Sequence, residues 1–206
     1  MKKLIIMILV LLLFTGCSIV RIDTSSIDNI LNVILTKDNT LFNQVGQGYK
    51  YYLPSDVIYL ESDGLNDILY SNGTYYYLYV DAISYYYKVS NNYIENKNAY
   101  YSKVFKTEDG FKKTGYLEIT EENNMYYLTF IYNYAKIETV VKKEDINSAV
   151  LNSSYILSTI KYNENIIKLM LDEEYFTNKA GKLKDYDNTS TTEKFVLEKE
   201  NELKEG

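Results

Sequence analysis

Asn123-Asn124-Met125-Tyr126-Tyr127-Leu128-Thr129-Phe130-Ile131-Tyr132-Asn133-Tyr134 is the stretch whose reading decides the fold class. In an extended chain neighbouring side chains point to opposite faces, so Tyr126, Leu128, Phe130, Tyr132 and Tyr134 share one face. Tyr127, Thr129, Ile131 and Asn133 share the other. The first set is the more apolar and is the expected core face. The second tolerates water, as one side of an antiparallel sheet does. Asn123-Asn124 supplies the turn before the strand.

The same pattern extends outward in both directions, from Gly48 to Val141. Short runs rich in Tyr, Ile and Val predict strands over residues 49–53, 57–62, 67–70, 74–82, 84–89, 99–106, 114–120, 125–134 and 136–142. Between them stand hairpin signals: Asp63-Gly64, Asn72-Gly73, Asn91-Asn92, Asp109-Gly110 and Asn123-Asn124. Connections this short make neighbouring strands antiparallel. Helical periodicity flanks the block on each side. Ile27, Ile30, Leu31, Ile34 and Leu35 form one apolar stripe behind a capping-box-like Ser25 and Asp28. After Lys143, acidic Glu144-Asp145 open a helix carrying Ile146, Val150, Leu157 and Ile160. A second piece over 163–176 carries Ile166, Ile167, Met170 and Leu171 along one side. The expected fold is α+β, an antiparallel meander sheet covered by an N-terminal helix and C-terminal helices.

Composition narrows the chemistry. The 206 residues suit one domain with appendages. With no His, no Trp and a single Cys, imidazole catalysis, a Cys/His zinc cage and a disulfide framework are excluded. A net charge of −6 with no basic stripe argues against nucleic acid as a partner.

The chain begins Met1-Lys2-Lys3, continues in an apolar run from Leu4 to Phe14 and reaches Thr15-Gly16-Cys17. The run falls short of the roughly 20 residues that span a bilayer. Phe14-Thr15-Gly16-Cys17 resembles the lipobox of bacterial lipoprotein signal peptides, with Phe14 where Leu is commoner. That resemblance implies cleavage between Gly16 and Cys17 and a diacylglycerol on the Cys17 sulfur, holding the protein on the extracytoplasmic face of the cell membrane. Two or more acyl chains make a lasting anchor, at ~0.8 kcal/mol per buried methylene. An uncleaved N-terminal helix is the competing reading, since Ser18-Ile19-Val20 prolongs the apolar stretch up to Arg21. Removing Lys2 and Lys3 from the 22 basic residues leaves 20 against 28 acidic ones, a balance of −8 that opposes adhesion to anionic lipid by charge. Residues 1–16 are therefore expected to be a signal peptide, 17–24 a lipidated tether and 25–176 the α+β domain. Residues 177–206, with Asn188-Thr189-Ser190-Thr191-Thr192 and alternating Glu and Lys, read as a charged flexible tail.

Two stretches of the domain, Gly48-Tyr49-Lys50-Tyr51-Tyr52-Leu53-Pro54 and Ile156-Leu157-Ser158-Thr159-Ile160, resemble the PsbP-like sandwich. Members of that family open the sheet with an aromatic strand ending in Pro and close it with a helix of this kind. The resemblance implies a fold and no particular activity, since the family holds many non-enzymatic accessory proteins.

Twenty-four tyrosines concentrate in the expected strands. A consecutive triplet puts rings on both sheet faces, which makes Tyr75, Tyr77, Tyr79, Tyr85 and Tyr87 the candidate binding face for glycan or peptide. Tyrosine is equally at home in a strand for structural reasons, through its β-propensity and cross-strand ring pairs. Other constellations read as ordinary structure. Asp172-Glu173-Glu174 fan around a helix, and Glu61, Asp63, Asn66 and Asp67 form an acidic turn without calcium-loop spacing. Ser158 and Lys161 match a Ser-x-x-Lys spacing without its companion motifs, and Gly46-Gln47-Gly48 lacks the residues of a phosphate loop.

No catalytic residue, metal ligand or cofactor is assigned. The expected function is a non-catalytic binding or accessory module of the cell envelope, anchored by lipid, with an envelope protein or glycan as partner. A lipidated carbohydrate-active enzyme using a carboxylate pair is the alternative from another class. A transporter's substrate-binding lipoprotein is the third, although one small domain lacks the two lobes of a hinge.

Overall fold

The structure, a computed structural model, describes residues 23–89, 92–106 and 113–172. Cys17 with the expected signal peptide, Asn91, Asp109-Gly110 and the expected tail from 177 onward lie outside the described residues.

Helix α1 (Ile27–Leu35) is followed by β1 (Gln44–Val45), β2 (Tyr49–Tyr51), β3 (Ile58–Asp63), β4 (Asn66–Ser71) and β5 (Thr74–Val80). Then come α2 (Ala82–Tyr87), β6 (Tyr101–Lys106), β7 (Thr114–Glu122), β8 (Met125–Tyr132) and β9 (Ala135–Val141). A 3₁₀ turn (Lys143–Asp145), α3 (Ile146–Thr159), β10 (Lys161–Tyr162) and α4 (Glu164–Asp172) complete the described chain. The fold class is α+β, as expected, with a seven-stranded antiparallel sheet and a three-stranded one of order β1-β2-β10.

The alternation of β8 holds: Tyr126, Leu128, Phe130 and Tyr132 are buried and Tyr127, Thr129 and Ile131 half-buried. Tyr134 departs from it. With Asn133 it forms the β8–β9 turn, both residues at positive φ (53° and 61°), the pairing a tight hairpin of this hand requires. The hydroxyl of Tyr162 donates to the carbonyls of Asn133 and Tyr134, at 2.7 and 2.9 Å, and Asn133 Nδ2 donates to the carbonyl of Ile160. Tertiary contacts thus hold a tyrosine in a conformation it rarely adopts. Asn72-Gly73 and Asn123-Asn124 make turns of the same kind.

The sheet order β3-β4-β5-β9-β8-β7-β6 joins two meanders edge to edge through β5 and β9. A single meander would have set β6 beside β5. What intervenes is α2, where residues 84–89 were expected to form a strand. The carboxylate of Asp81 accepts from the Ser84 amide at 2.8 Å, capping a short helix that ends at Lys88 in the left-handed region. Tyr85 stacks on Tyr162 at 3.9 Å and lies edge-on to Tyr134, so a ring with high strand propensity is secured by contacts distant in sequence.

Helix α3 lies on the sheet face formed by Leu69, Tyr76, Leu78, Leu117, Ile119, Leu128, Phe130 and Ile137, and α1 packs on α3 with Ile30, Leu31, Ile34 and Leu35 buried. Its small residues Ala149, Ser153 and Ser154 are buried, which permits close approach on several sides. The N-cap of α1 is Ser26 and not Ser25. Ser25 bonds to Asp23, while Asp28 reaches Lys103 and Tyr101 on β6. On α4, Ile167 and Met170 are buried and Ile166 is exposed, so the expected apolar stripe is narrower than the sequence suggests.

Candidate functional site

Tyr75, Tyr77 and Tyr79 share the face of β5 that points away from α3, beside Ile68 of β4 and Val140 of β9. Tyr85 and Tyr87 do not continue this row, because they stand on α2, where Tyr85 packs into the main core and Tyr87 is exposed. Nor is the row an exposed stacking surface at its centre, since Tyr77 is 2% exposed. Lys136 and Glu138 on β9 lie opposite Tyr79 and Tyr77. The Lys136 ammonium sits 3.1 Å from the Glu138 carboxylate and 4.6 Å from the centre of the Tyr79 ring. Burial lowers the Lys136 pKa, and Glu138 opposes that shift. Burial also raises the Tyr79 hydroxyl well above its ordinary value, with the charge of Glu138 adding to the effect. This cluster is an aromatic wall around a largely buried ion pair, and removing one partner would leave the other charge uncompensated at a cost in free energy.

The concave feature lies on the other side of the sheet, at the β3 end. A cleft of about 430 Å³ runs between the β1–β2 hairpin and the β3–β4 hairpin, lined by Gln44, Gln47, Tyr51, Tyr59, Ser62 and Asp67 among others. Alternation along β4 puts Asp67, Leu69 and Ser71 on the face that α3 covers, so the Asp67 carboxylate points inward and is 3% exposed. It accepts hydrogen bonds from the Tyr49 hydroxyl at 3.0 Å and the Tyr51 hydroxyl at 2.8 Å. Residues i and i+2 of β2 present both rings to the same side, stacked with centroids 6.1 Å apart. Burial, and then the neighbouring Asp67 charge, raise the Tyr51 hydroxyl far above its ordinary value, so Tyr51 is a fixed donor at neutral pH. Gly46-Gln47-Gly48 is the β1–β2 turn at the cleft. The Gly46 amide donates to the Tyr49 carbonyl at 2.9 Å, and a side chain at Gly46 would run into the Tyr49 ring at 2.3 Å.

A carboxylate wedged against two phenols in a polar cleft is an acceptor site for a cationic or hydrogen-bond-donating group. A glycosidase pair needs two carboxyls roughly 5–10 Å apart, and of the residues lining the cleft only Asp67 carries one. The other acidic residues of this hairpin do not converge with it. Glu61, Asp63 and Asn66 face the opposite side of the sheet from Asp67, as strand register dictates. Among the described residues no three His, Cys, Asp or Glu side chains gather as a metal site.

The Ser158 and Lys161 spacing does not make a pair on one helix. Ser158 is buried on α3 with its hydroxyl directed to the Tyr155 carbonyl, whereas Lys161 belongs to β10 opposite Lys50. Of Asp172-Glu173-Glu174 only Asp172 is described, at the end of α4. Cys17 and Gly16 lie outside the described residues. The sequence reading missed the grouping of Asp67 with Tyr49 and Tyr51. Its available signal was an acidic residue at a core-facing position of an alternating strand.

Among the described residues no helix is long and apolar enough to cross a membrane. Comparisons with protein-family models, with curated proteins and with solved structures return no match to this chain.

Proposed function

We propose that this chain is a membrane-anchored extracytoplasmic lipoprotein whose single α+β domain is a non-catalytic binding or accessory module of the bacterial cell envelope. The observation that carries the reading is the order Lys2-Lys3, an apolar run from Leu4 to Phe14, then Thr15-Gly16-Cys17, placed ahead of a folded domain. Helix α1 begins at Ile27, about ten residues after Cys17. A connector of that length reaches at most about 35 Å when extended, enough to set the domain just clear of the lipid headgroups. The Cys17 thiol is consumed by acylation, and the sole role of residues 1–16 is delivery.

The binding half of the proposal is supported by the cleft beside Asp67 and by the exposed apolar side chains around it. The PsbP-like resemblance belongs to the same proposal. Its two stretches adjoin, since the Tyr52 amide donates to Thr159 Oγ1 at 2.9 Å and β2 pairs with β10 directly after α3. That is how a closing helix is fastened to an opening strand.

Intact mass of the protein recovered from membranes tests the anchor. The expected product begins at Cys17 carrying diacylglycerol, and Cys17→Ala should stay unprocessed at residue 16. Recovery of full-length wild type with an unmodified Met1 would overturn the reading.

A further inference from the structure

Strand β3 closes the seven-stranded sheet on one side, and all six of its residues are exposed. Ile58 is 57%, Tyr59 40% and Leu60 46% exposed, three consecutive large apolar side chains on an outermost strand. The neighbouring hairpin adds Val45, also exposed and part of the cleft wall. The backbone is presented as well. Residues Gly64 and Leu65 form a two-residue turn whose closing pair is Asp63 and Asn66. The next pair, Ser62 and Asp67, is therefore the kind whose N–H and C=O groups point away from one another, and those of Ser62 point out of the sheet. Among the described residues no strand pairs with β3 on that side.

Charge says what fits there. Between Lys50 and Lys88 the chain has no basic residue, and it has Asp56, Glu61, Asp63, Asp67 and Asp81. A second copy of the chain paired antiparallel about Ser62 would set Glu61 opposite Asp63 of that copy, like charges face to face. A bulge at Leu60, where the β3–β4 register shifts, further discourages indiscriminate pairing.

We infer that β3 receives an extended, basic segment of a partner protein as an eighth strand, with apolar residues of that segment against Ile58 and Tyr59 and its Lys or Arg side chains toward Glu61, Asp63 and the Asp67 cleft. Main-chain hydrogen bonds supply affinity in this mode, and alternate side chains supply specificity. A lysine or arginine beside Ser62 has only that small side chain between itself and Asp67, two strand spacings or about 10 Å away, within reach of a long basic side chain and the carboxylate together. The inference rests on the binding-module reading and is independent of the lipid anchor.

The test uses the protein as recovered from membranes, in nanodiscs of zwitterionic lipid, and a fluorescent ten-residue peptide of lysine pairs alternating with valine pairs, which puts basic side chains on both faces of the added strand. Controls are the same peptide with glutamate in place of lysine and the lysine peptide N-methylated at every second backbone nitrogen. The lysine peptide should bind at least tenfold tighter than either control and slow amide exchange in β3. Ser62→Pro, which removes an outward N–H at a position where an edge strand tolerates proline, should weaken binding at least tenfold with an unchanged melting temperature. Should Ser62→Pro fail to fold, the Glu61→Lys and Asp63→Lys double variant serves, with the same expected loss. Equal affinity for lysine and glutamate peptides, indifference to N-methylation, or self-association through β3 would each overturn the inference. If Cys17 proves unacylated, the same titration runs on protein free in solution, so failure of the anchor and failure of the edge are told apart.

Discussion

The two outermost strands of the large sheet are finished differently. At β6 the preceding chain folds back over the edge. Glu95 accepts the outward Val104 amide at 2.9 Å, and the Asn96 amide and the Tyr93 hydroxyl both meet the Ser102 hydroxyl. The Tyr93 ring stacks on Tyr116 at 3.6 Å, nearly parallel, and its hydroxyl donates to Glu118. Lys103 adds an ion pair with Asp28 of α1. At β3 three apolar side chains are left exposed, and the stretch from Tyr51 to Tyr87 that contains this strand carries acidic residues and no basic one. An edge strand is an aggregation hazard that proteins normally cover or charge. One edge here is covered by its own chain, and the other is guarded by acidic residues that repel a like strand and attract a basic one.

The largest effect expected is on both halves together, at alkaline pH. Burial raises the hydroxyls of Tyr76 and Tyr93 to about 12 and those of Tyr101 and Tyr116 further. A raised folded-state value means that the native protein holds protons the unfolded chain has released. Stability is therefore full below pH ~10, the unfolded value, and falls as pH rises toward 12. Ultraviolet titration should show these phenols ionising only as circular dichroism reports unfolding. Independent titration of all tyrosines near pH 10 in a still-folded protein would contradict the burial described.

Next is Gly115→Ala, which acts on the covered side alone. A Cβ at Gly115 would lie 1.9 Å from the Ile131 carbonyl oxygen, so β7 must move off β8. A loss of about 2–3 kcal/mol is expected in denaturant melts, with faster amide exchange in β6 and β7 and none added in β3. Tyr93→Ala should cost less, about 1–2 kcal/mol, by deleting the stacked ring and its hydroxyl contacts. Its more telling result is a second open edge, seen as faster exchange at Val104 and self-association at high concentration. The smallest effect is that of Asp28→Asn. The hydrogen bond from Lys103 holds the Asp28 carboxyl below its ordinary value, so the pair contributes above pH ~4 and is lost as pH falls through the lower folded value. Both partners are about half exposed, and below about 0.5 kcal/mol is expected in double-mutant cycles.

Much of this fold was legible from local pattern. The faces of β8, the stripe of α1 and the turns at Asn72-Gly73 and Asn123-Asn124 follow from alternation, helical spacing and backbone preference acting over a few residues. What pattern could not supply was set by distant partners. Tyr85 reads as a strand residue until Tyr162 is known to stack on it, although the Asp81 and Ser84 spacing was a cap signal in view. Tyr134 continues the alternation of β8 until the turn claims it. The pairing of β5 with β9 joins segments some 60 residues apart and has no local signature. The candidate site divides in the same way. The tyrosine row of β5 follows from alternation, but whether its rings are exposed depends on their neighbours. The Asp67 cleft needs β2 and β4 brought together, and the bare edge needs the sheet order. The run of 37 residues without a basic side chain, from Tyr51 to Tyr87, is a local signal that the sequence carries and that the reading above did not use.

Residue-resolved amide exchange of the protein as recovered from membranes, before and after adding the lysine and valine peptide, is the most direct measurement. The expected result is fast exchange at Ser62 and slow exchange at Val104 in the free protein, with the peptide slowing β3 and leaving β6 unchanged. Equal protection of the two edges in the free protein, or slowing at β6 in place of β3, would contradict the assignment of β3 as the docking edge.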